Sequence, residues 1–225
     1  FSFIFLRGLC RACHQKISWQ YPIVELLSAL VFISPYYLLN FYQPNYVVAS
    51  IWVLSFLAFI LLSLIDLRFY IIPDSINIFL AILGIIKIIA LYLANQTQYL
   101  YTSFLVGYAL LFEIHNNFWL NYGLASLFGL VFFGMIIYVT RGRGMGMGDL
   151  KLIAALGLLF GWPDIVFVTL FSFVIGGVVG IVLMLRKQKG MKDALPFGPF
   201  IVLGSLTTIF FGEYLLKLYF SIFKI

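Results

Sequence analysis

The chain has 225 residues, of which 64% are hydrophobic and only 10% are charged. Soluble domains are typically about 45–50% apolar and about 25% charged, so this composition excludes an ordinary soluble fold and requires lipid to cover the remaining apolar surface. The net charge of +6 comes from sparse basic residues between apolar runs. Because they form no continuous basic surface, the sequence argues against nucleic acid as a partner.

Long apolar runs predict an all-α fold, a polytopic transmembrane bundle of about six to eight membrane helices. The run Leu150–Phe160 is too short to span alone, so we expect it to extend backwards or to be shielded inside the bundle. The aromatic-rich segment Tyr99–Tyr122 is expected to lie on the membrane surface, with a buried hairpin as the alternative. In chain order the runs are Pro22–Leu39, Val47–Ile65, Ser75–Leu93, Leu124–Thr140, Leu150–Phe160, Ile165–Leu185 and Phe197–Leu218.

The basic residues predict which side of the membrane the loops face. Most of the 14 lysines and arginines lie before the first run, between the second and third runs, around the glycine-rich loop, or after the sixth run. An alternating topology places all four groups on one face, which the positive-inside rule assigns to the cytoplasm. The sequence therefore predicts that Asp66 and Asp149 both lie at the cytoplasmic end of the bundle.

The segment before the first run contains one Cys-x-x-Cys pair, Cys10 and Cys13. Two cysteines do not form a disulfide framework, and half of a zinc site, a redox pair and a structural turn all remain open. Because the first nine residues lack the features of a signal peptide, we expect a fragment that begins inside a longer protein. The predicted domains are a cytoplasmic segment over residues 1–21 and a transmembrane domain over residues 22–225.

Two acidic residues lie beside apolar runs. An ionisable side chain at membrane depth costs free energy and usually indicates a functional site. Asp66 ends the second apolar run, where an ion pair with Arg68 is the structural alternative. Asp149 follows a glycine-rich loop in which Gly146 and Gly148 permit close approach of another backbone, and an N-cap in a flexible turn is the structural alternative. Two carboxylates that meet share one proton, so that one acts as a general base on water while the other protonates the substrate carbonyl.

Other ionisable residues have simpler interpretations. Asp74 follows Pro73 and is expected to cap the next helix. Lys151 is expected to anchor the glycine-rich loop, although it could also lower the pKa of a nearby carboxylate. Asp164 is expected to form a turn or a helix cap on the outer face, and the role of Lys87, in the middle of a run, is left open.

Four ordered motifs resemble those of bacterial type IV prepilin peptidases, the prepilin leader peptidases of the GxGD aspartic peptidase family. The resemblance covers nearly the whole chain. The motifs are the segment from Leu6 through Cys10 and Cys13 to Leu26, the segment Asp66–Asp74, the GMGDLKL stretch Gly146–Leu152, and the Pro-Phe-Gly-Pro-Phe turn at residues 196–200.

The resemblance implies that Asp66 and Asp149 are catalytic, with support from the neighbouring motif residues Gly146, Gly148, Lys151, Pro73 and Asp74. It implies removal of a basic leader from prepilins or pseudopilins at the cytoplasmic face of the bacterial inner membrane, with no cofactor for the peptidase. It also implies N-methylation of the new terminus with S-adenosylmethionine, in which Glu25 could take part. Zinc would need more ligands than Cys10 and Cys13, and the family's longer members carry a further Cys-x-x-Cys before this point.

Two other classes of function remain open. In a small proton- or cation-coupled transporter, the same acids would carry ions, and the glycine- and proline-rich interruptions are typical of broken transporter helices. However, the sequence shows no inverted halves. A non-catalytic assembly scaffold would not require two aspartates on one membrane face. The sequence does not indicate the oligomeric state.

Overall fold

The computed structural model describes residues 8–10, 12–13, 15–41, 45–97, 103–105, 108–109, 117–142, 144–187, 190 and 194–223. Within these residues the chain is helical without a β-sheet, so the predicted all-α fold is confirmed. The helices are α1 Gln20–Phe41, α2 Tyr46–Phe69, α3 Asp74–Leu93, α4 Phe118–Thr140, α5 Met147–Phe160, α6 Asp164–Leu185 and α7 Gly198–Phe223. Helices α2, α3, α4, α6 and α7 are long and apolar enough to cross a membrane, which makes the chain an integral membrane protein.

The chain forms two compact units, Phe1–Ile60 and Leu61–Ile225, and their boundary falls within α2. In the first unit a small hairpin precedes α1. Its Leu9 and Lys16 form an isolated antiparallel bridge. The predicted division of the chain after residue 21 stays a prediction.

Helix α5 is at the centre of the second unit, where it packs against α3, α4, α6 and α7. Its 14 residues extend over only about 21 Å at 1.5 Å per residue. Leu152, Leu156 and Leu159 are all 0% exposed. The short apolar run is therefore shielded by protein, which is one of the two alternatives that the sequence left open.

Close contacts fix the directions of the helices around α5. A Cβ at Gly84 of α3 would meet the backbone of Leu158, and Asp74 at the start of α3 contacts Lys151 near the start of α5, so these two helices run parallel. Gly129 meets Ile153, whereas Gly157 meets Ser126, so α4 runs antiparallel to α5. Since α6 and α7 are antiparallel neighbours, the end of α2 and the starts of α3, α5 and α7 lie at one end of this unit.

The crossing of α4 and α5 depends on the absence of a side chain at Gly157. A Cβ there would lie 2.5 Å from the main-chain nitrogen of Ser126 and 2.7 Å from the carbonyl carbon of Ala125. Small residues allow membrane helices to approach this closely. We expect Gly157→Ala to lower the free energy of unfolding by about 1–3 kcal/mol, because overpacking forces the two backbones apart. Thermal unfolding in detergent measures this loss, and an unchanged melting temperature would contradict the close crossing.

The opposite end of the second unit contains a buried polar group that we call the Lys87–Asp164 cluster. The Lys87 ammonium donates to the carbonyl of Leu159 at 2.7 Å. The Asp164 carboxylate accepts hydrogen bonds from the hydroxyl of Ser103 at 2.5 Å and from the N–H of Phe104 at 2.9 Å. Lys87 and Asp164 are 3% and 0% exposed, and their charges attract each other.

This cluster corrects one prediction and answers an open question. Asp164 was expected to form a turn or a helix cap on the outer face of the membrane. It lies at the end of the unit opposite Asp66 and Asp149, but its carboxylate is completely buried and accepts hydrogen bonds from Ser103 and Phe104 instead of capping a helix. No side-chain capping bond forms at the start of α6. Lys87 is the buried cation that compensates the negative charge of Asp164.

Parts of the segment Tyr99–Tyr122 lie outside the described residues. Among its described residues, Ser103, Phe104, Leu105 and Ala109 are at most 2% exposed and are thus covered by protein. That the segment lies at the membrane surface stays a prediction. Leu105 and Ala109 pack against Leu216 of α7. The last part of the segment is helical, because α4 begins at Phe118, six residues before the predicted start.

Candidate functional site

Asp66 lies three residues before the end of α2 and is 4% exposed. Its carboxylate oxygen Oδ2 accepts a hydrogen bond of 2.9 Å from the main-chain N–H of Gly198, the first residue of α7. Arg68 does not form an ion pair with Asp66: its guanidinium lies 5.4 Å from the centre of the Phe69 ring. The structural alternative for Asp66, an ion pair with Arg68, is therefore wrong.

Asp149 lies in the first turn of α5 and is 8% exposed. Its Oδ2 accepts a hydrogen bond of 3.1 Å from the N–H of Gly146. Gly146 is the N-cap residue, so Asp149 does not occupy the N-cap position that the structural alternative assigned to it. Gly146 itself is exposed, and the entrance to α5 is consequently open to solvent.

Two of the predicted supporting residues, Asp74 and Lys151, join the start of α3 to the start of α5, the helix that carries Asp149. Both carboxylate oxygens of Asp74 lie 2.8 Å from the Lys151 ammonium. Lys151 therefore forms an ion pair between α5 and α3, and its predicted role as an anchor of the glycine-rich loop stays a prediction. The expected capping role of Asp74 is wrong, because Pro73 is the N-cap residue and no side chain caps this helix. The carboxylate of Asp74 is bound by the cation of α5 instead.

The loop between α2 and α3 brings the first aspartate towards the second. A Cβ at Gly148 would lie 3.0 Å from the Cβ of Ile72, so the loop that follows Asp66 lies against the residue before Asp149. The charge of Asp66 is close enough to act on Asp149. The structure thus places two buried carboxylates from different helices at the same end of the second unit.

Asp149 lies outside the five long spans, and its surroundings favour the protonated carboxyl. Burial raises the pKa of Asp149 from 3.8 to about 6, against the lowering effect of the Gly146 N–H and with a further raising effect from the charge of Asp66. Burial is thus the main cause of the raised pKa of Asp149, and the charge of Asp66 adds to it, as in pairs of acids that share a proton.

This raised pKa predicts how stability depends on pH. Between about pH 4 and pH 6 the folded protein binds more protons than the unfolded chain, so the free energy of unfolding falls as the pH rises through about 6. Asp149→Asn removes the charge, so we expect this variant to be more stable than the wild type by about 2–3 kcal/mol above pH 7. Melting temperatures of both proteins between about pH 4 and pH 8 measure this effect. A constant difference across that range would contradict the raised pKa.

Cys10 and Cys13 occur in the hairpin of the first unit, and neither forms a disulfide. The N–H of Cys10 donates to the carbonyl of Gln15 at 2.9 Å. The main-chain N–H groups of Cys13 and Ala12 lower the pKa of the Cys10 thiol. This environment favours a thiolate, which is the form that binds zinc, so the pair fits two zinc ligands. Among the described residues, no third metal-binding side chain joins them.

For four further ionisable residues the structure gives no test of a functional role. Glu25 is exposed in α1, and its predicted part in methyl transfer stays a prediction. His14, beside the cysteine pair, lies outside the described residues. So do Glu113 and His115.

Comparison with known proteins gives two matches to family profiles. The profile of the bacterial Peptidase A24 N-terminal domain matches residues 1–39. The profile of the type IV leader peptidase family matches residues 52–181, which include both aspartates and the glycine-rich loop. The chain belongs to the type IV leader peptidase family. It is therefore a membrane peptidase, as the four motifs predicted.

Similar proteins come from distant bacteria and share one name, prepilin leader peptidase/N-methyltransferase. The protein from Legionella pneumophila is 29% identical over 97% of this chain and 68% of its own length. The one from Stutzerimonas stutzeri is 33% identical over 94% of this chain and 65% of its own length. The protein from Bacillus subtilis is 27% identical over 97% of this chain and 77% of its own length. The chain thus spans about two thirds of the length of most of these relatives, and no solved structure matches it significantly.

The sequence analysis did not identify Gly198 as a residue of the candidate site. The motif Pro-Phe-Gly-Pro-Phe was recognised only as a late turn of the family. A signal was nevertheless present, because a proline-flanked glycine before a long apolar run marks a helix start with exposed N–H groups. Only the folded structure shows that Asp66 is the acceptor.

Proposed function

We propose that this protein is an aspartic endopeptidase that removes the basic leader from type IV prepilins or pseudopilins. The observation that carries the proposal is the placement of Asp66 and Asp149, two buried carboxylates from separate helices, at one end of the bundle with the charge of one acting on the other. The family and the relatives' shared name support the substrate class.

The proposed mechanism uses one proton held by the aspartate pair. The ionised carboxylate takes a proton from a water molecule, whose oxygen attacks the carbonyl carbon of the scissile bond, while the protonated carboxyl donates its proton to the carbonyl oxygen. The tetrahedral intermediate then collapses: the C–N bond breaks, the leaving amine takes the proton that the first carboxylate accepted, and the second carboxylate takes back a proton from a hydroxyl of the intermediate as the new carboxyl group forms. This sequence leaves the pair ready for another turnover and needs no covalent enzyme intermediate.

The distribution of charge supports cleavage on the cytoplasmic side of the inner membrane. Five exposed basic residues lie at the same end of the second unit as both aspartates. They are Arg68, Arg141, Lys151, Arg186 and Lys187. An excess of Lys and Arg is typical of cytoplasmic loops. A prepilin whose leader lies in the cytoplasm and whose apolar helix lies in the bilayer would present its scissile bond at this level.

The relatives' name supports a second activity on the same product. We propose that the protein also methylates the new amino terminus, with S-adenosylmethionine as methyl donor. Zinc, if bound, would be held by Cys10 and Cys13 with ligands from outside the described residues, where it would act as a structural crosslink of the hairpin.

Incubation of the purified protein with a prepilin in detergent tests both activities. Mass spectrometry of the product should show a new amino terminus at the junction of the basic leader and the apolar helix. With S-adenosylmethionine added, the mature fragment should be heavier by one methyl group. No cleavage of any prepilin or pseudopilin, together with proton or cation flux that depends on Asp66, would favour the transporter alternative instead.

A further inference from the structure

We propose that Gly198 is a positioning residue for Asp66, and that the start of α7 is part of the peptidase site. This inference rests on the proposed function and adds a third helix to the two that carry the aspartates. The motif Pro196–Phe200 therefore positions a catalytic side chain as well as forming the turn between α6 and α7.

The contact between α7 and Asp66 is possible only because residue 198 is glycine. Its N–H lies 2.9 Å from Oδ2 of Asp66. A Cβ at this position would lie 2.7 Å from the same oxygen and 3.0 Å from Cδ2 of Leu62. Any larger residue would therefore force the carboxylate, or the start of the helix, to move.

The N–H of Gly198 is available because it is at the beginning of a helix. The first N–H groups of a helix have no acceptor inside it, and the 26 residues of α7 direct a partial positive charge towards this end. The next residue, Pro199, has no N–H to compete. Asp66 accepts the hydrogen bond from Gly198 and so lies against the positive end of α7.

Phe197 fixes the position from which Gly198 donates. Its ring centre lies 5.1 Å from that of Phe173 in α6 and 6.3 Å from that of Phe133 in α4. A Cβ at Gly176 would lie 3.4 Å from the Phe197 ring, so the ring also closes on the backbone of α6. The residue next to Gly198 is thus held by packing against α4 and α6, and this packing restrains the donor independently of the carboxylate.

The hydrogen bond from Gly198 determines which carboxylate oxygen of Asp66 takes part in the reaction. With Oδ2 occupied by α7, Oδ1 is the oxygen of Asp66 that is left for the attacking water or the shared proton, since no described residue donates a hydrogen bond to it. A displacement of about 1 Å in a catalytic group can cost about 100-fold in rate. Gly198 therefore acts on catalysis through the orientation of Asp66.

The test compares Gly198→Ala with two other glycine variants in the prepilin cleavage assay. For Gly198→Ala we expect kcat to fall about 100-fold while KM stays near the wild-type value. Gly177→Ala in α6 is the neutral control, because a Cβ there meets no atom within 4 Å. Gly157→Ala is the control for structural damage, and should lower the melting temperature while the folded fraction keeps a normal kcat.

A second measurement tests the contact without using activity. Gly198→Ala should lower the melting temperature of the wild type, and this loss should shrink in an Asp66→Ala background, where Oδ2 is absent. An equal loss in both backgrounds, or a normal kcat for Gly198→Ala, would overturn the inference alone. If the wild type cleaves no prepilin, the proposed function fails, and with it the catalytic role of Gly198.

Discussion

Asp66→Asn and Asp149→Asn should each lower the rate of prepilin cleavage by at least about 10²–10⁴-fold, the usual contribution of a general acid or base. Asparagine has nearly the shape of aspartate but neither accepts nor donates the proton that the mechanism moves. Each variant should still insert into the membrane, because the hydrogen bonds from Gly198 and Gly146 end on a side-chain oxygen that asparagine also carries. The rate is measured with purified protein by the appearance of the mature fragment.

Asp74→Asn is the matched control for these two variants. Asp74 lies at the same end of the second unit, but its carboxylate is 62% exposed and pairs with an ammonium that is itself 47% exposed. Such an ion pair contributes about 0–1 kcal/mol, so we expect only a small change in rate. Cleavage at the wild-type rate by Asp66→Asn or Asp149→Asn would remove that residue from the catalytic pair.

The second large effect is a loss of stability, which we expect for substitutions in the Lys87–Asp164 cluster at the opposite end of the second unit. Asp164→Ala should lower the free energy of unfolding by about 3–5 kcal/mol, because it leaves the buried ammonium of Lys87 without its compensating charge. It also leaves the Ser103 hydroxyl and the Phe104 N–H without the acceptor to which they donate. Lys87→Met should be similarly damaging, since it isolates the Asp164 carboxylate. Thermal unfolding in detergent is the measurement.

The double variant Lys87→Met with Asp164→Leu separates charge pairing from simple loss of side chains. Replacing both members of a buried pair with apolar groups costs less than removing one, because no isolated charge remains. We expect the double variant to be more stable than either single variant, and its folded fraction to cleave prepilin normally. Additive losses in the double variant would show that the two charges do not compensate each other.

Much of the fold was predictable because the bilayer imposes a simple pattern. A span needs a long apolar run, and each predicted run coincides with a helix of the structure. Asp66 and Asp149 were predictable as site residues for a related reason, because a carboxylate beside an apolar run costs free energy and therefore indicates a function. Their placement at one end of the unit follows from the parity of the spans, which the distribution of basic residues also reflects.

Other features depended on contacts between residues distant in the sequence. Asp164 follows a Trp-Pro turn and had the local pattern of a turn or a helix cap. It is buried because Ser103, 61 positions earlier, folds back onto it. Asp74 had the local pattern of a helix cap, but its carboxylate contacts the ammonium of Lys151, 77 positions later. Gly198 is 132 positions from Asp66. Local sequence carries no information about such partners.

The shortness of α5 has an evolutionary consequence. The helix is about 21 Å long, whereas a spanning helix crosses a hydrocarbon layer about 30 Å thick. At its end the ring of Phe160 lies 5.9 Å from that of Phe104, in the connection between α3 and α4. Insertion or deletion of one turn in α5 would shift Asp149 by about 5 Å relative to Asp66. Natural variants should therefore keep the length of α5 fixed, while surface loops of the same protein can lengthen or shorten.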